Sequence, residues 1–234
     1  MDLERFEKEF TSKFRLKKIV NIAVCLVIFV LGITAFIYKA RYEGGVLTCF
    51  REMTVCGTVF SSIVALLYVL VSAYEFAHNK EIEKPYLYYL RLSSATAEFI
   101  ILIIVLIGYL PFIPAKPVIG RYDMINMHVL VPVLTLYSFL FNDPPRGRLT
   151  PVQRLGGLCF LLLYTLGEII CILLYIIPEE KIPYFFLNVR HQPLWFTLLA
   201  VVVIYGLGYL LSWLFSELNR KCSWYWYRIA AKRK

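Results

Sequence analysis

Six long apolar stretches constrain the fold of this chain more than any other feature. They occupy residues 18–38, 53–76, 92–113, 124–142, 157–178 and 194–216. Each is close to the ~20 residues that a helix needs to cross ~30 Å of hydrocarbon. The stretches are continuous, without the alternation typical of a membrane β-barrel. The sequence therefore predicts an all-α, polytopic membrane protein with six transmembrane helices in one bundle.

The six stretches use most of the 234 residues and leave no room for a separate soluble domain. We predict a basic amphipathic leader at 1–17, the transmembrane bundle at 18–216 and a basic aromatic tail at 217–234. In the leader, Leu3, Phe6, Phe10 and Phe14 recur at helical spacing, as in a helix that lies on an anionic leaflet. An unstructured basic leader is the alternative. No small-residue cleavage site follows the first span, which we interpret as a retained helix.

The net charge of +9 is distributed asymmetrically between the predicted loops. If the N-terminus is cytoplasmic, 18 of the 25 Lys and Arg residues lie on that side. The positive-inside rule then places both termini in the cytoplasm, where the basic ends would contact anionic headgroups rather than nucleic acid. We expect a multi-pass protein of a bacterial cytoplasmic membrane, or of an endomembrane in a eukaryote. The opposite side is called the predicted outer end below.

A stripe of small and polar residues runs along the second span. Its members step by three and four residues: Thr54, Thr58, Ser61, Ala65, Tyr68 and Ser72. Such a stripe faces protein rather than lipid, and close helix packing alone would explain most of it. Thr54, at the outer mouth of the span, is the member most open to a chemical role.

His128 begins a similar face in the fourth span, followed by Pro132 and Thr135. Ionisable groups inside a membrane are costly and often functional, although a histidine that only supports the bundle is the alternative. Both Thr54 and His128 lie near the predicted outer end. A hydroxyl beside a neutral imidazole is the minimal arrangement of a nucleophile with its general base.

Three further acidic residues lie within or at the start of the predicted spans. Glu98 is expected to be hydrogen-bonded to a Tyr or Thr on a neighbouring helix, and Glu168 is either structural or part of a site. Asp123 is expected to cap the fourth span, and the alternative is that it orients His128. The three histidines and six cysteines show no metal-ligand spacing, so we expect neither a metal nor another cofactor.

Three segments carry a resemblance to a known family: FREMTVCGTVFSSIVALL (50–67), MHVLVPVLTLYSFLF (127–141) and IPYFFLN (182–188). In order and spacing they resemble the androgen-induced and androgen-dependent membrane fatty-acid-ester hydrolases. The closest likeness is to the small prokaryotic six-helix relatives of that family. The Thr and the His-x-x-x-Pro correspond to Thr54, His128 and Pro132. Met53 stands where the family usually has Phe, and Cys56 and Gly57 stand where Ser-Asn is common.

The resemblance implies a lipid-ester hydrolase in which Thr54 attacks the ester carbonyl and His128 acts as base. The expected substrate is a membrane lipid or lipid ester, and further substrate-binding candidates are Thr58, Tyr184, Asn188 and Glu168. Cys56 is a second-ranked nucleophile for acyl transfer, because it is turned ~200° from Thr54 around the helix. Two other readings stay open: a non-enzymatic membrane scaffold or assembly protein, and a small proton-coupled transporter.

Overall fold

The structure is a computed structural model that describes residues 3–78, 85–109, 120–143, 147–184 and 187–232. We number its six long helical segments α1 to α6. They are α1 (Leu3–Tyr42), α2 (Met53–His78), α3 (Pro85–Ile103, followed by a π-helical turn at Ile104–Tyr109), α4 (Tyr122–Asn142), α5 (Pro151–Leu173) and α6 (Leu194–Lys232). Short helical turns at Val46–Cys49 and Glu179–Lys181 lie in the connections.

The prediction of six apolar helices is confirmed, and the described residues contain no strand. All six are long and apolar enough to cross a membrane, as in a multi-pass integral membrane protein. Two of them begin earlier than expected, at Pro85 and Pro151, because proline is favoured in the first turn of a helix. Ahead of Pro151, Thr150 and Gln153 form a reciprocal capping box that fixes where α5 begins.

The two ends of the chain are helical extensions of spans. α1 continues without a break from Leu3 into the first span, so most of the predicted leader 1–17 is helical. α6 continues to Lys232 and takes in most of the predicted tail 217–234. The cytoplasmic placement of these ends stays a prediction.

The third span is at the centre of the bundle. α3 packs against α2, α4, α5 and α6, while α1 packs against α2 and α4 on the far side. The most apolar window of the third span is 61% buried, whereas that of the sixth span is only 17% buried. The bundle therefore has a half built from α1, α2, α3 and α4, and a second half in which α5 and α6 pack on α3.

Small residues set the closest helix contacts. A Cβ placed on Gly32 of α1 would lie 2.0 Å from the Ser62 hydroxyl oxygen of α2. A Cβ on Gly157 of α5 would lie 2.6 Å from the Cβ of Ser212 on α6. These glycines are therefore required for the observed separation of the helix pairs, as small residues commonly are in membrane bundles.

A buried ion-pair network joins the helices at the predicted cytoplasmic end. The Arg91 guanidinium of α3 donates from Nε to Asp143 Oδ2 at 2.9 Å and from Nη2 to Asp143 Oδ1 at 3.2 Å. Asn21 of α1 donates to the same carboxylate at 2.6 Å, and Ser138 bonds both Arg91 and Asn21. Asn219 of α6 donates to the Asp143 carbonyl at 3.1 Å. One polar cluster thus connects α1, α3 and α6 with the end of α4.

Candidate functional site

The stripe on α2 faces the interior, as the sequence predicts. Thr58, Ser61, Ala65 and Ser72 are almost completely buried. Thr54 is on the same face, four residues before Thr58, but it is only half-buried. It is therefore the point at which the interior polar face of α2 becomes accessible from the predicted outer end.

The segment just before Thr54 is held by contacts from two other helices. Lys39 of α1 forms an ion pair with Glu52 at 3.0 Å, and it also pairs with Glu43 at 2.6 Å. Tyr164 of α5 donates its hydroxyl proton to the Arg51 carbonyl at 2.6 Å. These contacts fix the start of α2 and hence the position of the Thr54 side chain.

His128 lies in a π-helical turn of α4, Asn126–Leu130. Turns of this kind are frequent at functional sites. Its ring nitrogen Nδ1 is 2.9 Å from the Met124 carbonyl oxygen. Because a carbonyl only accepts, Nδ1 must carry the proton, and in the neutral ring Nε2 is then left as an acceptor. The imidazole is half-buried, on the face that also carries the buried Pro132 and Thr135.

The chain neighbours of the two candidate residues are in the same apolar cluster. Val55, which follows Thr54, and Met127, which precedes His128, pack together with Ala35 of α1. The outer ends of α2 and α4 therefore meet at one depth against α1. The hydrogen bonds among the described residues include none between the Thr54 hydroxyl and the His128 ring. Direct proton transfer between them stays a prediction.

Two charged groups flank this region. Lys39 and Asp123 are both close enough to the His128 ring to act on it electrostatically. The Asp123 carboxylate receives two hydrogen bonds from Arg121, at 3.1 and 2.7 Å. These bonds raise the pKa of the Arg121 guanidinium above its usual value. The expectation that Asp123 caps α4 is wrong, because no side-chain cap is present and its carboxylate is bound by Arg121.

Cys49, in the short turn before α2, is completely buried in the same apolar cluster. Burial, together with the nearby carboxylate of Glu43, raises the pKa of its thiol to about 11. All six cysteines of the chain are free thiols. A protonated buried thiol is a poor nucleophile, so Cys49 is a packing residue rather than a reacting group.

Two predicted substrate-binding residues contact α2 near its start. The Tyr184 hydroxyl accepts a hydrogen bond from the Met53 amide at 3.3 Å, and its ring stands edge-on to Tyr164 of α5. Glu168 of α5 is 4% exposed and acts electrostatically on Cys56 of α2. Because Cys56 is turned ~200° from Thr54, Glu168 is not beside Thr54.

The remaining two substrate-binding candidates, Thr58 and Asn188, lie in different environments. Thr58 is fully buried against Gly32, and its hydroxyl has no hydrogen-bond partner among the described residues. Asn188 accepts a hydrogen bond from the Arg190 amide at 3.3 Å, which stabilises the turn before α6. Thr58 therefore shares the interior face with Thr54, whereas Asn188 has a role in the outer loop.

Cys56 does not compete with Thr54 for His128. Its thiol donates to the Phe50 carbonyl at 3.0 Å, and its charged neighbours are Glu168 and Glu52. Within the described ranges, no group of three or more His, Cys, Asp or Glu residues could hold a metal ion.

The network around Arg91 and Asp143 was missed from the sequence. Arg91 was counted only as one of the cytoplasmic positive charges, although its side chain is 2% exposed. The available signal was Asn21, which stands alone among apolar residues in the run 19–31, since buried amides need partners. The network is a structural cluster at the end opposite to Thr54 and His128.

The fold and these contacts define a multi-pass helical membrane protein with a polar interior face that opens at one end. No protein-family model, no curated protein and no solved structure matches the chain. Its function has to be inferred from its own residues.

Proposed function

We propose that this protein is a membrane lipid-ester hydrolase in which Thr54 is the nucleophile and His128 is the general base. The hydrogen bond from His128 Nδ1 to the Met124 carbonyl is the observation that carries the proposal. It leaves Nε2 unprotonated, on the interior face, and at the same end of the bundle as the half-buried Thr54. A threonine hydroxyl needs such an acceptor to become nucleophilic at neutral pH.

The reaction would proceed in two steps. His128 Nε2 takes the Thr54 hydroxyl proton as Oγ attacks the ester carbonyl, and the same proton then goes to the departing alcohol. A water molecule, deprotonated by His128, attacks the resulting acyl-threonine ester. The carboxylic acid leaves, and the proton returns to Thr54 Oγ. The amides of Thr54 and Val55 are in the first turn of α2, whose N–H groups lack partners within the helix, and they could stabilise the oxyanion.

The surroundings favour a lipid substrate over a soluble one. The first turn of α2 is within a helix apolar enough to cross a membrane, and the neighbouring cluster of Ala35, Val55 and Met127 is apolar. An acyl chain that enters from the bilayer would stay in contact with apolar groups while its ester reached the polar mouth. The resemblance described above points to the same class, the fatty-acid esters.

The nucleophile can be tested by covalent labelling in native membranes. A fluorophosphonate probe is expected to label the wild-type protein and the variant Thr54→Ser, but not Thr54→Ala. The matched control is Thr34→Ala, which removes a threonine at the outer end of α1 that hydrogen-bonds Tyr122 at 2.7 Å. Undiminished labelling of Thr54→Ala would reject Thr54 as the nucleophile.

The role of His128 as general base can be tested by the rate at which the fluorophosphonate probe labels the protein. His128→Ala is expected to slow labelling by roughly 10²- to 10⁴-fold, the usual contribution of a general base. The rate of the wild-type protein should fall as the pH is lowered and the imidazole becomes protonated. A variant that reacts as fast as the wild type would show that another group activates Thr54.

A further inference from the structure

Glu98 is a completely buried carboxyl group in the described part of the chain. It lies on α3, the central helix, and its exposed fraction is 0%, a value shared by Asp123, whose carboxylate is bound by Arg121. Neither of its carboxyl oxygens has a hydrogen-bond partner among the described residues, so the expected bond to a Tyr or Thr is not made. A buried carboxyl group without a partner is costly, and inside a membrane it is a candidate functional group.

Hydroxyl groups of α2 and α3 lie on the same buried faces as this carboxyl group. Ser61 of α2 is the side chain that acts on Glu98 directly. Ser94, one helical turn before Glu98 on α3, donates to the Ser61 hydroxyl oxygen at 2.7 Å. Thr58, one turn from Ser61 toward the predicted outer end, has a fully buried hydroxyl without a partner. Glu98 therefore faces a group of oxygen atoms from two helices.

Among the residues that the structure describes, no cationic side chain is paired with Glu98. Arg91 is seven residues earlier, about 10.5 Å along α3, and its charge is paired with Asp143. Titratable groups on the helices packed against α3 have other partners. Main-chain carbonyl oxygens are hydrogen-bonded to Cys56, His128, Tyr164, Tyr205 and Tyr209. The Tyr68 ring lies against the Arg91 guanidinium, and Glu168 faces Arg51.

We propose that Glu98, Ser61 and Ser94 form a binding site for one small monovalent cation, a proton or Na⁺. A single carboxylate neutralises one positive charge, and hydroxyl and carboxylate oxygens are the ligands that hard cations prefer. An ionised carboxylate in this place would otherwise carry the full cost of an unpaired buried charge. The site is separate from the proposed hydrolase chemistry, which does not use Glu98.

The polar stripe of α2 supplies the route to this site. Thr54, Thr58 and Ser61 follow one another at four- and three-residue steps on the same face, about one turn apart. Thr54 is half-buried at the mouth, and Thr58 and Ser61 are buried below it. A cation that enters at the predicted outer end therefore meets hydroxyl oxygens at each turn before it reaches Glu98.

The proposal can be tested by difference infrared spectroscopy of the full-length protein in phosphatidylcholine nanodiscs. The measured signal is the carbonyl band of a protonated carboxylic acid. One arm raises the pH from about 5 to about 9 without Na⁺, a range that spans the values known for buried carboxyl groups. The other arm adds Na⁺ at fixed pH, with N-methylglucamine keeping the ionic strength constant.

The band is expected to disappear in at least one arm, and the arm that removes it identifies the cation. Glu98→Gln should abolish the Glu98 component, whereas the control Glu168→Gln should retain it. Ser61→Ala and Ser94→Ala should each weaken binding about tenfold, which corresponds to about 1.4 kcal/mol.

Two results would overturn the proposal. One is a band that neither pH nor Na⁺ changes, because that is the behaviour of a permanently protonated structural acid. The other is a response in Glu98→Gln that equals that of the wild type, because no component of the band would then belong to Glu98. Probe labelling of Thr54 in the Glu98→Gln variant is measured in parallel, so that failure of this site is distinguished from failure of the hydrolase.

Discussion

The substitution Asp143→Asn tests how far the buried network stabilises the bundle. It preserves the size and shape of the side chain but removes the negative charge that faces Arg91. The Arg91 and Asp143 side chains are 2% and 3% exposed, and the carboxylate accepts hydrogen bonds from both Arg91 and Asn21. The variant therefore leaves an uncompensated guanidinium charge among α1, α3 and α4.

The expected loss follows from the burial of the pair. Removal of one partner from a buried ion pair costs about 3–5 kcal/mol in the free energy of unfolding. The matched control is Glu217→Gln, which breaks the Arg220–Glu217 pair of α6. That pair is 39% and 17% exposed, so its loss should cost about 0–1 kcal/mol.

The free energy of unfolding can be measured by titration with sodium dodecyl sulfate in mixed micelles, followed by circular dichroism. The double variant Arg91→Met, Asp143→Leu should recover part of the stability that either single variant loses, because no unpaired charge remains. If Asp143→Asn loses no more stability than Glu217→Gln, the network does not stabilise the bundle and the reasoning is wrong.

Two further predictions concern packing and thiol reactivity. Gly157→Ala should destabilise the α5–α6 contact by about 1–3 kcal/mol, because the new Cβ would lie 2.6 Å from the Ser212 Cβ. Gly206→Ala, where a Cβ meets nothing within 4 Å, should cause no loss, and equal unfolding midpoints for the two variants would contradict the prediction. Since burial raises the pKa of Cys49 to about 11, its alkylation by N-ethylmaleimide should be slow at neutral pH and accelerate as the pH approaches that value. Mass spectrometry can follow this with Cys222 as the internal reference, and rapid neutral-pH labelling of Cys49 in the folded protein would refute it.

The sequence was sufficient for the features that depend on local composition. The number and approximate place of the spans follow from the length of hydrocarbon that a helix must cross, a constraint each segment meets alone. The sequence also predicts which face of α2 is turned to the interior, because Thr58, Ser61 and Ser72 recur at helical spacing among aliphatic residues. The two ends of a span were less certain, since Pro85 and Pro151 begin helices before the apolar stretch itself begins.

The candidate site was only partly predictable. That Thr54 and His128 are at one end of the bundle follows from topology. The position of Glu168 near Cys56 rather than Thr54 depends instead on how α5 packs against α2. No residue pattern within a single helix determines which neighbour it will face.

The sequence by itself determined that this chain forms six apolar helices with a polar stripe on the second, since hydropathy and helical period are properties of short segments. Only the tertiary structure decided that α3 is central, that Arg91 pairs with Asp143, and that the Glu98 carboxyl group has no cationic partner among the described residues. These outcomes depend on the order and rotation of helices whose apolar surfaces are alike. The order and rotation of the helices are determined by all of their close contacts and buried polar bonds together.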